Sequence, residues 1–217
     1  ESIVFDNVFA HSSWTLAEAI SLYTGLYPFE HGVVRRFDGS KLPQETPTIL
    51  ERLKKAGYTT AVFTGGFDYL PVYGLTNRFD KFERCGEGIE SAPQLVAQRY
   101  TRSEIFGEFK CIMPNALAWL KNNASHKFFL HVQGYDAHCP FSQRGGKTFD
   151  PDYQGKVDFS NCLKTLEPKE PKVIDDKRYY LVRSDSEEVW ISQRDVDHLI
   201  ALYDESITFA DRQVGLL

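Results

Sequence analysis

Two residues of this sequence, Thr15 and His138, carry reactive side chains at positions where chemistry is possible. Thr15 opens the stretch TLAEAISLYTG, whose apolar residues recur at helical spacing, and Gly25 and Pro28 end the predicted helix. A helix N-terminus presents unpaired amides and the positive end of the helix dipole, so it attracts anions. A hydroxyl at that place is a candidate nucleophile toward an anionic ester.

Thr15 also has a purely structural interpretation. With Glu18 three residues later it fits the capping-box pattern, in which the Thr hydroxyl takes an orphan amide proton and the Glu reaches back. On the helix residues alone both interpretations stand, and capping is the simpler of the two.

His138 lies just beyond the apolar stretch KFFLHVQ at 127–133, which predicts a parallel strand covered on both faces. Sites in α/β proteins lie past the carboxyl ends of such strands. The alternative for His138 is a loop histidine bonded to the backbone. Asp136 either orients His138 or caps the turn, and His131, inside the strand, is predicted to be a buried core residue.

The elements around these residues predict an α/β fold with a mostly parallel sheet flanked by helices. Helix and strand patterns alternate along the first two thirds of the chain, and a strong helical period returns at the end. The stretch 142–192 is polar and rich in Pro and Gly, so it is predicted to be a long irregular excursion. Strands are predicted at 3–9, 58–63 and 127–133, further helices at 47–57, 93–102, 112–122 and 195–217, and irregular chain at 64–90.

Composition limits the class of protein. The 217 residues suit one domain or most of one. The formal charge of −5 argues against nucleic acid as the main partner, and no apolar run approaches the roughly 18 residues of a membrane-spanning helix. Four widely spaced cysteines exclude a zinc knuckle and leave the redox compartment open. The chain starts without an initiator Met and ends within a helical pattern, so we expect a segment of a longer protein.

Several stretches, in this order, resemble the sulfatase family of the alkaline phosphatase superfamily. FDNVFAHSSWTLAEAISLYTGLYPFEHGV resembles its nucleophile segment, in which a Cys, Ser or Thr opens a helix that ends in Thr-Gly. FFLHVQGYDAHCPF resembles the segment usually written Asp-Pro-His-x-Pro-Tyr. LPQETPTILERLKKAGYTTAVF, FDPDYQGKVD and YDESITFADRQVGLL resemble a helix–strand pair, a later loop and the helix after it. The resemblance implies an alkaline-phosphatase-like three-layer sandwich, with residues 1–217 as most of one catalytic domain, incomplete at both ends.

The resemblance also implies roles for particular residues. Thr15, nine residues before Thr24, would be both the nucleophile and a ligand of a divalent cation (Ca, Mg or Mn). His138 would contact an oxygen of the substrate anion or protonate the leaving group, and Asp136 would belong to the same substrate-binding segment. The family's remaining metal ligands come from motifs outside these 217 residues, so the segment alone is expected to be inactive.

Departures from the family pattern indicate which branch of the family this sequence resembles. Residues 15–19 read TLAEA where formylglycine-dependent sulfatases read Cys-x-Pro-Ser-Arg, so no formylglycine is expected and Ala19 replaces the anion-holding Arg. Glu18 would add negative charge near an anionic substrate unless it turns back into a cap. Residues 64–67 read TGGF where the family has Gly-Lys-Trp-His. These differences favour the Thr-nucleophile branch, which includes phosphate and phosphonate ester hydrolases and phosphoglycerol transferases.

The sequence therefore predicts a metal-dependent hydrolase of sulfate or phosphate esters that takes a small anionic ester. A phosphoryl or phosphoglycerol transferase with the same site is the enzyme alternative. A catalytically inactive sulfatase-fold binding module is the other alternative, favoured by Glu18 and Ala19. The family resemblance is compatible with a periplasmic or secreted location and does not exclude the cytoplasm.

Overall fold

The chain forms two compact units, Glu1–Gly134 and Tyr135–Leu217, each with its own sheet. The structure is a computed structural model, and it describes residues 5–35, 38–65, 71–85, 108–139, 141, 149–155, 163–165, 171–184 and 187–217. The predicted helix at 93–102 lies outside the described residues.

The first unit is a parallel sheet with helices on both faces, which confirms the predicted α/β class. Its three strands are all parallel and lie in the order β2-β1-β3. Single turns of 3-10 helix lie at Pro71–Tyr73 and Thr76–Arg78. The elements are α1 (Thr15–Thr24), α2 (Pro28–His31), α3 (Ile49–Lys55), β1 (Thr59–Gly65), β2 (Lys81–Cys85), α4 (Phe109–Asn123) and β3 (Phe128–Gln133).

The sheet separates two hydrophobic clusters. On one face, α1 and α3 pack against the sheet in a core that includes Leu16, Ile20 and Leu50, all fully buried. On the other face, α4 contributes Ile112 and Ala116 to a second cluster, together with alternate residues of β1. Both faces of β1 are therefore covered, which explains its nearly continuous run of buried residues.

Local signals in the sequence account for the helix that precedes β1. Thr48 is the N-cap of α3, and its hydroxyl accepts a hydrogen bond from the amide of Leu50. The Glu51 carboxylate reaches back to the amide of Thr48 at 2.9 Å, which completes a capping box. Gly57 follows the helix with a φ of 83°, a left-handed conformation that glycine adopts without strain. The helix–strand pair predicted at 47–63 is thus confirmed, with the helix starting two residues later.

A disulfide joins Cys85, at the end of β2, to Cys111, in the first turn of α4. Its Cα atoms are 6.0 Å apart, and the bridge closes a sequence separation of 26 residues. Cys139 is also disulfide-bonded, and the described residues contain no free cysteine. Cys85 and Cys111 are therefore close in space although they are widely spaced in sequence.

The second unit corrects one prediction. The stretch 142–192, predicted to be irregular, carries four antiparallel strands in its described part: β4 (Leu163–Thr165), β5 (Lys172–Ile174), β6 (Lys177–Ser184) and β7 (Glu187–Ser192). Strand β6 pairs with β7 along one edge and with β4 and β5 along the other. Charged residues are frequent in these strands because much of this small sheet is solvent-exposed, and that composition resembles a loop. The helix predicted at 195–217 is confirmed as α5 (Gln193–Val214).

Two strand predictions in the first unit were wrong. Residues 5–9 of the strand predicted at 3–9 have no regular structure, and Phe9 is 87% exposed. Apolar β-branched residues favour a strand only where a neighbouring strand completes the hydrogen bonds, and the described residues provide none there. Conversely, β2 lies in the stretch predicted to be irregular, because its residues KFERC lack an apolar pattern and depend on pairing with β1.

Candidate functional site

Helix α1 begins at Thr15 without a side-chain cap. Its N-cap residue is Trp14, in an extended conformation, and the Trp14 side chain makes no capping hydrogen bond. Thr15 is the first residue of the helix and is partly exposed. Within the described part of the chain, no capping bond or other hydrogen bond of the Thr15 hydroxyl is present. The capping alternative for Thr15 is therefore wrong in this structure.

Glu18 turns back, but to a residue other than Thr15. Its carboxylate accepts a hydrogen bond of 3.0 Å from the backbone amide of Ser12 and lies 3.7 Å from Nδ1 of His11. The Ser12 hydroxyl in turn accepts from the amide of Trp14 at 3.1 Å. These contacts order the loop before α1 and hold the carboxylate against a backbone donor. Glu18 thus acts as a brace for the loop that leads to Thr15.

Thr15 lines an open cleft of about 430 Å³. The start of α1 borders this space, so the cleft receives the positive end of the helix dipole and the amides of the first turn. Its polar lining is supplied by hydroxyls, amides and one carboxylate. The cleft residues are Ser12, Ser13, Trp14, Thr15, Glu18, Ala19, Leu22, His131 and Gln133.

The cleft lies at the carboxyl end of β3 because α1 runs antiparallel to that strand. Tyr23, near the end of α1, packs against Phe129 near the start of β3, with ring centroids 6.3 Å apart. Thr15, at the opposite end of α1, shares the cleft with Gln133, the last residue of β3. The carboxyl end of a parallel sheet is where α/β proteins place their sites.

His131 is half-buried, not fully buried as predicted for a core residue, and its ring is bound to Tyr23. Its Nδ1 and the Tyr23 hydroxyl share a hydrogen bond of 2.5 Å. Burial lowers the pKa of His131 to about 4, so the ring is neutral at pH 7. The same side chain also contributes to the wall of the Thr15 cleft, a placement that its apolar neighbours in the sequence did not indicate.

Acid is expected to destabilise the first unit through His131. The unfolded chain takes up a proton near the ordinary His pKa of 6.5, whereas the folded chain does so only near 4. The contribution of neutral His131 to the free energy of unfolding is fully present above pH 6.5. This free energy falls by about 3 kcal/mol as the pH is lowered to 4. The free energy of urea unfolding at pH 7 and pH 4 measures this loss.

Two histidine variants isolate that effect. His131→Phe keeps a ring of similar size without a titrating group, so its acid-induced loss should be smaller than that of the wild type. His126 is exposed, and His126→Phe should follow the wild type. An equal acid-induced loss in the wild type and His131→Phe would contradict the assignment.

His31 is structural, in line with its interpretation as a loop residue. It is buried, its Nδ1 accepts a hydrogen bond from the amide of Val33, and its Nε2 lies 3.2 Å from the hydroxyl of Ser21. Burial is the main cause that lowers the pKa of His31. The neutral ring ties α2 and the chain after it to α1, the helix that presents Thr15.

Asp136 and His138 belong to the second unit, whereas every residue that lines the Thr15 cleft belongs to the first. His138 is exposed, and its Nδ1 donates a hydrogen bond of 2.6 Å to the carbonyl of Cys139. That bond sets the tautomer, because a carbonyl can only accept, and in the neutral ring the other nitrogen is then an acceptor. Asp136 is 1% exposed, and Nδ1 of His138 is held by the backbone instead of by Asp136.

The described residues do not form a complete metal site by themselves. No group of three or more His, Cys, Asp or Glu side chains in the described ranges is arranged to hold a metal ion. Thr15 contributes one oxygen to the cleft, and the only carboxylate there, Glu18, is held by the amide of Ser12.

Two cleft residues were missed as site candidates from the sequence: His131, which is bonded to Tyr23, and Gln133. A signal was present, because polar side chains at alternate positions of an otherwise apolar strand indicate one face that opens to a polar space. Residues 131 and 133 are the two polar members of FFLHVQ, and they share a face.

Comparison with known protein families gives a match over the whole chain. The sequence profile of the family described as Sulfatase matches residues 1–217. Among solved structures, the chain is similar to the lipoteichoic acid synthase LtaP from Listeria monocytogenes, with 17% identity and a TM-score of 0.47. That match covers 94% of this chain and 39% of the LtaP chain. No protein of curated function matches. No helix among the described residues is long and apolar enough to cross a membrane.

Proposed function

The chain belongs to the sulfatase family, and from that membership we propose that it is part of a catalytic domain acting on sulfate or phosphate esters, with Thr15 as nucleophile. Both compact units would belong to this one domain, incomplete at both ends. The observation that carries the proposal is that Thr15 is the first residue of α1, makes no capping bond with its hydroxyl, and lines a cleft. Four features support it: the helix amides, the parallel sheet edge, the braced loop and the cleft itself.

The proposed reaction begins at the hydroxyl oxygen of Thr15. That oxygen loses its proton and bonds to the phosphorus or sulfur of the ester, while the bond to the alcohol breaks and the alcohol leaves with a proton. Water then attacks the modified threonine and releases phosphate or sulfate. Backbone amides at the start of α1 are placed to stabilise negative charge on the group being transferred.

His138 is proposed as a second participant, either as a contact to the substrate anion or as the acid that protonates the leaving alcohol. Its Nδ1 already donates to the Cys139 carbonyl, so only the other ring nitrogen can serve. That nitrogen carries a proton to give only when the ring is charged. Asp136, buried beside it in sequence, is proposed to support this segment.

Sulfatases generally use a divalent cation, and Thr15 is proposed as one ligand of such an ion (Ca, Mg or Mn). The described residues do not complete a cation site. The remaining ligands are proposed to come from family motifs that lie outside these 217 residues. The isolated segment is accordingly expected to be inactive.

Phosphate esters are proposed as better substrates than sulfate esters. Lys, His and Arg side chains that hold the sulfate in formylglycine enzymes have no counterpart at 15–19 or 64–67. Phosphoryl transfer depends mainly on positioning and charge stabilisation of an in-line attack. The bond of Glu18 to Ser12 removes one argument for an inactive binding module, because that carboxylate is already engaged.

The test uses the full-length protein with 4-nitrophenyl phosphate and 4-nitrophenyl sulfate, with Mn²⁺, Mg²⁺ or Ca²⁺ added in turn. Turnover of the phosphate should exceed that of the sulfate by about 10-fold or more. A chelator should abolish turnover, and the matching cation should restore it. Absence of turnover of both esters with every cation would contradict the proposed enzyme and leave the binding module.

A further inference from the structure

Gln133 is a cleft residue whose side-chain oxygen has no hydrogen-bond partner among the described residues. It is the last residue of β3, on the strand face that carries Phe129 and His131 and points toward α1. Its side-chain oxygen is buried and has no hydrogen-bond partner among the described residues. Gln133 also lines the Thr15 cleft. A buried amide oxygen without a donor is unfavourable, so a ligand that supplies one gains affinity.

Two other polar groups of the cleft, His131 and Glu18, are engaged within the protein. His131 is bound to the Tyr23 hydroxyl, and Glu18 is bound to the amide of Ser12. These pairs fix the walls, whereas rotation about the last side-chain bond of Gln133 is soft and can turn its amide oxygen toward a bound molecule. The unpartnered acceptor therefore belongs to the same cleft as the proposed nucleophile.

The charge of an ester substrate decides which part of it can pair with this oxygen. The anionic oxygens of sulfate esters and ionised phosphate esters are acceptors, so they cannot satisfy an amide oxygen. The donor must therefore come from the alcohol part of the ester. A hydroxyl group is the smallest neutral donor that an alcohol can carry.

We propose that Gln133 determines specificity in the Thr15 cleft by accepting a hydrogen bond from a second hydroxyl on the alcohol part of the substrate. The preferred substrates are thus esters of alcohols with at least two hydroxyl groups, such as diols, polyols and sugars. The proposal rests on the proposed function of Thr15, and it adds the chemical class of the leaving alcohol.

A pair of isosteric esters tests this preference in the full-length protein. 2-Hydroxyethyl phosphate and n-propyl phosphate have the same charge and nearly the same shape, and differ by a terminal OH in place of CH₃. Wild type should show a kcat/KM at least about 10-fold higher for the hydroxylated ester. Gln133→Met should bring the ratio close to one by slowing only that ester. Gln44 is exposed, and Gln44→Met should keep the wild-type ratio.

The outcomes separate this proposal from the proposed function. Equal rates for the two esters in wild type, or an unchanged ratio in Gln133→Met, overturn the role of Gln133 while Thr15-dependent turnover stands. Should neither ester turn over, calorimetric binding of the two esters to the Thr15→Ala variant decides the question. A roughly 10-fold preference that Gln133→Met removes supports the proposal, and equal binding or no binding overturns it.

Discussion

Replacing Thr15 with alanine is expected to abolish ester turnover by the full-length protein while leaving its stability unchanged. Removal of the proposed nucleophilic oxygen should lower kcat by about 10³-fold or more. Stability should change by less than about 0.5 kcal/mol, because the Thr15 hydroxyl makes no capping bond. Release of 4-nitrophenol measures the first quantity and urea unfolding the second.

The two measurements together distinguish a nucleophile from a cap. A capping Thr changed to Ala costs about 1 kcal/mol of stability without any necessary loss of chemistry. Thr15→Ser keeps the hydroxyl and should retain part of the activity. Thr208→Ala is the matched control, because the Thr208 hydroxyl only donates to the Asp204 carbonyl within α5. Equal kcat for Thr15→Ala and wild type would remove Thr15 from the mechanism.

Removing the Cys85–Cys111 disulfide is expected to have the largest effect on the stability of the first unit. The bridge closes a loop of 26 residues and so restricts the unfolded chain. The chain-entropy relation gives a contribution of about 3.5 kcal/mol to the free energy of unfolding. The bridge also joins β2 to α4, the two elements that border the cluster around Phe63 and Ile112. Urea unfolding of Cys85→Ala/Cys111→Ala against wild type, without reductant, measures the loss.

A single variant provides the control for the disulfide. Cys85→Ala alone also breaks the bridge, so it should lose nearly as much stability as the double variant. If the double variant unfolds at the wild-type urea midpoint, the bridge contributes nothing to folding. A reductant should lower the wild-type urea midpoint by breaking this bridge, which the double variant lacks.

Much of the first unit followed from local patterns. Helix α3 was predictable because its cap, its apolar spacing and its terminal Gly57 all point to the same boundaries. Strand β3 was predictable because a short apolar run in an α/β context favours a strand covered on both faces. In contrast, β2 was missed because it depends on pairing with β1, and no local pattern reveals such a partner.

For the candidate site, too, local patterns predicted some residues, whereas others depended on contacts between distant elements. Thr15 was identified from its place at the start of a helix, and the structure removes its capping interpretation by bonding Glu18 to Ser12, whereas its role as nucleophile stays a prediction. The pattern S/T-x-x-E predicts a reciprocal cap, but the loop before α1 presents the Ser12 amide to the carboxylate instead. The alternation of polar residues in FFLHVQ was a signal for Gln133, but no local pattern showed that it lies near α1, because the helix and the strand are far apart in sequence.

By itself, the sequence determined the family, the α/β class, the main helices and the residue that opens α1. These features depend on composition, spacing and short-range hydrogen bonds, which operate within a few residues of chain. Only the tertiary structure decided that α1 runs antiparallel to β3 and that Cys85 meets Cys111. It also decided that the uncapped Thr15 shares its cleft with a Gln133 oxygen that has no partner in the described part of the chain. The physical reason is that burial and pairing are properties of elements in contact, and the partners of each element lie dozens of residues away.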